Sequence, residues 1–599
     1  MSAPQKKEKL TSELRILVAS LLSMAVILLW AKYFAPKPPV VVPQPNRPVQ
    51  TGPATSGAPY SAGNSTGAGG AAANSAMRGG KATGISGVPE VKIAAKSDTQ
   101  ERTIVFENSL YRVEFSNRGA VVKSWQLKNY KDDSKPQKVL DVVHPQASEQ
   151  TGGWPFALAL DDEQMEAAAN SGLYQISSTE NVLNAPADAE FSWSDGHLEV
   201  TKHFHFDHSY VVKVETSVKL NGAPLRAGLA WMGGFGDLTV ANPIPIETVS
   251  IFDSENGKLT NVPATKLEGA DKSPHGIWQG GKDWVGIEDR YFTAVFLPAQ
   301  GATPGTIETR RWQIPRTIQV EGKDKQEPVP EVAATVSAQP MAMRVYVGPK
   351  DYDDLKKMNP PLHALVNFGW FEFISDPLFH ALKWLHKYIP NWGWAIVVLT
   401  LIINMLLFPL KYSGYKTSLK MQRVAPEIKQ IQEKYKKYSM RDPRKAEMNK
   451  EVMAVYSREG ISPVGGCVPQ LLQMPIWFGL YRALQGTIEM RHAPWFGWIT
   501  DLSAKDPYYI LPVLMGLSMY LASKMTPMVS TDPQQQTMMK IMPIGMAGMF
   551  VVLPYPSGLA VYILTSGVVG VAQQWWLNRQ HPLPAASGKP GKLLRDKKK

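Results

Sequence analysis

The sequence predicts a multi-domain membrane protein: an α-helical bundle (N-terminal anchor plus five core transmembrane helices), an antiparallel β-sandwich on the non-cytoplasmic side, and a cytoplasmic helical hairpin. Three stretches carry that prediction. Residues 392–410 (WGWAIVVLTLIINMLLFPL) hold no charge and, at a ~1.5 Å rise per residue, match the thickness of a bilayer's hydrocarbon core. From about Arg102 to Val347, apolar and polar residues alternate with period two, as in half-buried strands. Between Lys411 and Ser462, Lys and Arg outnumber the acids, and apolar residues recur at three- and four-residue steps.

The chain has 599 residues and a net charge of +12, too long for one ordinary domain. Its one cysteine, Cys467, excludes an intrachain disulfide. Lys6, Lys7, Lys9 and Arg15 precede an apolar run from Ile16 to about Phe34. That run is long for a signal peptide, Trp30 and Tyr33 mark an interfacial belt, and Pro36 follows the one small-residue cleavage candidate, Ala35. Residues 1–35 are therefore read as an uncleaved signal anchor with a cytoplasmic N-terminus. Residues 36–100 are rich in Pro, Gly, Ala and Ser and form a flexible tether, because they cannot bury enough apolar surface to offset ordering.

The β-sandwich is placed at 101–347, its strands separated by Asn-Gly and Gly-Gly turns. On one strand His203, His205 and Asp207 share a face, with His208 and His197 nearby. Two imidazoles and a carboxylate have metal-ligand chemistry. A solvated strand face with Phe204 and Phe206 in the core is the simpler reading, and no metal or other cofactor is expected. The chain contains no nucleophile elbow, phosphate loop or metalloprotease motif, so no enzyme is expected.

Residues 361–390 mix aromatic and charged residues and should lie in the membrane interface. Residues 391–411 form the second span. Thr400 and Asn404 share a helical face, and Lys411 returns to nearly the same one. A polar stripe of this kind faces either a neighbouring helix, as an interhelical hydrogen bond, or a water-filled cavity. The basic stretch 412–462 reads as a hairpin with a coiled-coil seam: Met421, Val424, Ile428, Ile431, Tyr435 and Tyr438 against Met448, Val452 and Val455. Pro426 should kink or restart its first arm, and Asp442-Pro443 separates the arms. Its positive excess places it in the cytoplasm, either merely solvated or docking something acidic. Further spans are expected at 463–486 (with Gln470 and Gln473), 507–524, 538–553 and 558–577 (with Tyr562, Thr565, Ser566 and Gln573). Six spans return the basic tail, 578–599, to the cytoplasm. Met542, Met546 and Met549 fall at helical spacing, for helix packing or for varied apolar partners.

The motifs NWGWAIVVLTLIINMLLFPL, PVGGCVPQLLQMPIWFGLY, DPYYILPVLMG, TDPQQQTMMKIMP and PSGLAVYILTSGVVGVAQQ, in this order over about residues 365–580, resemble the YidC/Oxa/Alb family of membrane protein insertases. Anchor, tether and β domain resemble the Gram-negative YidC layout. The resemblance implies an inner-membrane protein with its large domain periplasmic. It also implies five core helices around a hydrophilic groove that opens to the cytoplasm and the inner leaflet. Implied partners are nascent membrane proteins, the Sec translocon, the ribosome through the basic tail and cytoplasmic loops, and membrane lipids; no DNA partner is implied. Candidate groove residues are Thr400, Asn404, Lys411, Gln470, Gln473, Tyr562 and Ser566. Candidate residues of the hydrophobic slide are Trp477, Phe478, Met542, Met546 and Met549. The chain departs from the family pattern at Asn404, where an arginine is usual. Lys411 is the expected substitute: it would attract acidic substrate segments that Asn404 hydrogen-bonds further in. Rival readings are an assembly scaffold and a small-solute transporter, though neither an inverted repeat nor a midplane charge pair supports the latter.

Overall fold

A computed structural model describes residues 93–239, 247–253, 256–267, 275–278, 282–320, 323–366, 368–438, 442–462, 468–526, 545, 548–551 and 555–581. The expected anchor, most of the tether, most of the 538–553 span and residues 582–599 of the tail lie outside these.

The β domain runs from strand Thr103–Glu107 to strand Ala342–Pro349. Its described residues form one ten-stranded sheet and two five-stranded sheets. Pairing is antiparallel with one correction: Val182–Asn184 pairs in parallel with Thr103–Glu107. The long excursion between the two strands supplies the crossover that parallel pairing requires. Strand Leu198–Phe206 shows why alternation is a reliable signal. Its Leu198, Val200, Phe204 and Phe206 are buried, every second residue. Phe206 stacks on Phe106 at 4.2 Å, and Phe204 meets Phe115 at 4.7 Å, joining two sheets. Trp125 and Trp231, 6.1 Å apart, join the third. His203 and His205 point outward, where both face Asp188, at 3.5 and 2.9 Å. The strand's inner face also contains Lys202, fully buried.

The C-terminal region is helical. We number its helices α1 Glu372–Tyr388, α2 Trp392–Leu406, α3 Phe408–Lys434, α4 Arg444–Arg458, α5 Val468–Gln485, α6 Ile510–Met525 and α7 Ser557–Gln580. Among the described residues, no single helix is long and apolar enough to cross a membrane. α2 and α3 meet the criterion together, bent by 53°. This corrects the expectation of one continuous 391–411 helix. The break comes at Leu407, and Pro409 sits in the first turn of α3, where its missing N–H leaves no hydrogen bond unmade. Lys411 therefore belongs to α3. Of the two outcomes expected at Pro426, the restart does not occur: α3 runs through it. Here Met421, Val424 and Ile428 pack with Val455 and Ile461, and Arg458 grips Glu427 at 3.1 and 2.6 Å. Tyr438 leaves the expected seam and lies under the Arg444 guanidinium instead, 3.9 Å from it.

At the end of the helices nearest the β domain, Leu399, Leu480, Leu484, Ile499, Leu502, Leu511, Met515, Leu559 and Val561 form one apolar cluster. Gly567 lets α6 and α7 close up, since a Cβ there would stand 2.4 Å from Ser518 Oγ. The β-domain core continues into the helical region through Phe368, Phe379, Ala483 and Ile488.

Candidate functional site

Beyond that apolar cluster the helices separate. A cavity of about 590 Å³ lies between α3, α5, α6 and α7. This is far above the ~10–15 Å³ that one water needs. Its walls differ in character. α3 contributes Lys411, Tyr415 and Ser418; α7 contributes Tyr562, Ser566, Gln573 and Gln574; Met474, Trp477, Met519, Met549 and Phe550 supply apolar surface. Lys411 is the one charged side chain among the described lining residues.

Its placement follows from the bend at Leu407. The turn from α2 into α3 swings Lys411 back so that Nζ donates to Asn404 Oδ1 at 2.7 Å, with Gln573 Oε1 at 3.5 Å. Asn404 itself is fully buried. Its amide donates to Thr400 O at 2.8 Å and to Ser566 Oγ at 3.3 Å. Gln573 Nε2 donates to the Asn404 carbonyl at 3.3 Å. Thr400 is buried one turn further in, its hydroxyl on Ile396 O at 2.6 Å. On the facing helix, Gln473 Nε2 donates to Tyr562 Oη at 2.8 Å, while Gln473 Oε1 has no partner among the described residues.

The structure thus brings Lys411, Gln473, Tyr562 and Ser566 to the cavity wall. Thr400 and Asn404 stand behind it, fully buried and outside the lining. The Asn404 carboxamide is already occupied by Thr400, Ser566 and Lys411. Trp477 and Met549 also line the cavity. Phe478 turns away and stacks on Phe371 at 5.5 Å. Met542 and Met546 lie outside the described residues, and Gln470 is outside those whose side chains are described. Arg482 is absent from the lining and lies beside Gly369.

The sequence reading missed Tyr415, Ser418, Gln574 and Asn578. Tyr415 Oη donates to Asn578 Oδ1 at 2.9 Å, and Gln574 Nε2 reaches the same oxygen at 3.0 Å. The signal was available: 411, 415 and 418 repeat at helical spacing and continue the 400–404 stripe across the bend.

Two family models match the chain in sequence. One, described as the YidC periplasmic domain, covers residues 103–381; the other, described as the 60Kd inner membrane protein, covers 384–584. A membrane protein insertase YidC from Citrifermentans bemidjiense is 33% identical over 80% of this chain and 86% of its own length. One from Wolinella succinogenes is 31% identical over 98% of this chain and 99% of its own. Among solved structures, an active YidC insertase crystal structure with its first transmembrane domain resolved aligns at a TM-score of 0.34 and 17% identity, covering 82% of this chain and 96% of that one. With both halves matched in order and a relative of nearly equal length matched end to end, the chain belongs to the YidC family of membrane protein insertases.

Proposed function

We propose that this chain moves segments of newly made membrane proteins from the cytoplasm into the inner membrane, with the cavity as the place where their polar parts stay wet. The observation that carries the reading is the asymmetry of the helical region. A roomy, partly polar cavity, with one lysine among its described lining residues, adjoins an apolar cluster at the end that faces the β domain. A polar segment can therefore enter hydrated and stop part-way. Each peptide group left unpaired in hydrocarbon costs several kcal/mol, so a shortened dry path changes the rate by orders of magnitude. α6 has 16 residues, roughly 24 Å at helical rise against a ~30 Å hydrocarbon core, so the bilayer beside it would thin. Exposed apolar side chains such as Met405, Leu406 and Val513 fit lipid contact and give an entering helix a surface to slide along. Burial of that helix in lipid supplies the driving force.

In this reading Lys411, oriented by Asn404, does the work of the family's groove arginine and draws acidic segments inward. The basic α3–α4 hairpin faces the cytoplasm, where ribosomal RNA, lipid headgroups or the Sec translocon would meet it. The test is photocrosslinking to a stalled nascent chain from a probe at Ser566, on the cavity wall, with Thr400 as the buried control. Adducts at 566 and none at 400 support the groove. Equal yields at both positions, or adducts at neither, would remove it.

A further inference from the structure

The β domain is joined to the helices by a buried ion pair. Arg491, in the loop 487–506 between α5 and α6, places its guanidinium against Asp237 of the β domain; the two side chains are 3% and 0% exposed. Asp133 lies 3.8 Å from the same nitrogen and also takes His492 Nε2 at 2.6 Å. Arg491 Nε and Nη1 have no hydrogen-bond partner among the described residues, so Asp237 is the carboxylate that holds the guanidinium by a hydrogen bond, with Asp133 as a longer ion pair. Tyr291 and Phe292 of the β domain lie under the guanidinium, 5.8 and 5.3 Å away. Nearby, Arg290 Nε donates to Gln485 O, the last carbonyl of α5, at 3.0 Å. Asp237 is itself held: Thr239 N and Oγ1 donate to its Oδ1, and its own N–H donates to Asp289 Oδ2 at 2.7 Å. Breaking one side of such a pair leaves a buried charge unmatched, which is far more disruptive than losing an exposed contact.

The loop is also where the helices around the cavity begin or end. Asp506 caps α6 by accepting from Leu511 N at 2.6 Å. Ala504 O and Leu502 O accept from Ser557 N and Gly558 N at the start of α7, at 2.7 and 2.8 Å. Asn391, the N-cap of α2, donates to Pro494 O and Trp495 O, both at 3.2 Å. One loop thus registers α2, α5, α6 and α7 at the end closed by the apolar cluster, and the β domain grips that loop from outside.

We infer that Arg491 is a positioning residue through which the β domain holds the closed end of the cavity in register. The consequence for insertion rests on the function proposed above, whereas the mechanical role does not. The experiment uses the full-length chain in lipid nanodiscs with Arg491→Met, Arg491→Lys, Asp237→Asn and the Arg491→Met/Asp237→Asn double variant. Hydrogen exchange is read at residues 499–515 and 557–562, with strand Leu198–Phe206 as the internal control, and insertion of one substrate is measured alongside. Exchange at the helix starts should rise about tenfold in Arg491→Met and Asp237→Asn. It should rise no further in the double variant and should stay near wild type in Arg491→Lys, while the strand keeps its protection. Insertion should fall in step and be retained by Arg491→Lys. Unchanged exchange at the helix starts overturns the inference, as does a rise that includes the control strand, which would mean general destabilisation. Raised exchange with unaltered insertion overturns the part that concerns insertion.

Discussion

Among the described lysines that are turned inward, Lys202 and Lys411 have opposite surroundings. Lys202 is fully buried on the core face of a strand, where Nζ donates to Gly119 O at 2.7 Å, Phe156 O at 2.8 Å and Ala120 O at 3.2 Å. It has three donors and three acceptors, with nothing left over. Lys411 is half-buried on the wall of a 590 Å³ cavity, with one short hydrogen bond to Asn404 and one long one to Gln573. Its remaining bonding capacity faces open space. A buried charge whose partners are all backbone carbonyls ties segments of the fold together; a charge with capacity to spare beside a cavity is arranged for something that comes and goes. The difference is one of stability against function, and mutation can separate the two.

The largest effect is expected at Lys202. Lys202→Ala strands three carbonyls in the core, at a cost of about 3 kcal/mol or more to the β domain. Protection from hydrogen exchange in the strands around Phe204 should collapse. Normal protection there would mean that the three carbonyls find water, and Lys202 would lose its structural meaning. The pH dependence gives the same test a sign. Burial pulls the Lys202 amine down to about 7 from its ordinary value near 10.5. Between those values the unfolded chain binds a proton that the folded chain does not, so stability rises with pH, by up to ~1.4 kcal/mol per unit. Below pH 7 both states are protonated and the contribution is flat. Lys202→Met should abolish the slope, measured by denaturant unfolding from pH 7 to 10.

Next comes Lys411. Lys411→Gln should leave thermal stability within ~0.5 kcal/mol, as for a side chain with spare bonding capacity. It should lower insertion of substrates with acidic translocated segments about tenfold, equivalent to ~1.4 kcal/mol. Neutral segments should be unaffected, and Lys411→Arg should retain activity. Equal losses for acidic and neutral segments would make Lys411 a packing residue and end the contrast with Lys202.

How far the sequence foretold all this depends on what kind of signal each feature leaves. Alternation in 198–206 marked the strand correctly, and the Thr400–Asn404–Lys411 stripe pointed to the cavity wall. Alternation also put Lys202 on the core face, but a charge is assumed to face water unless its partners are known, and its partners are backbone atoms at 119, 120 and 156. The break at Leu407 was hidden because hydrophobicity runs through it unchanged; Pro409 was its one local sign. Arg491 gave no sign at all, since its partner lies 254 residues earlier. Periodicity reports which face is buried, not which distant group is waiting there.

The smallest effect concerns the order of the groove. If Asn404 only orients Lys411, Asn404→Ala should weaken acidic-segment insertion two- to threefold, about 0.5 kcal/mol, the net value of a single hydrogen bond at its low end. The loss should vanish in a Lys411→Gln background, because there is then no ammonium to orient. If Asn404 instead touches the substrate, its loss adds to that of Lys411→Gln, and the two effects multiply. The double-mutant cycle therefore decides whether Asn404, buried behind the wall, acts through its neighbour or on the passing chain. Its burial and its occupied carboxamide favour the neighbour.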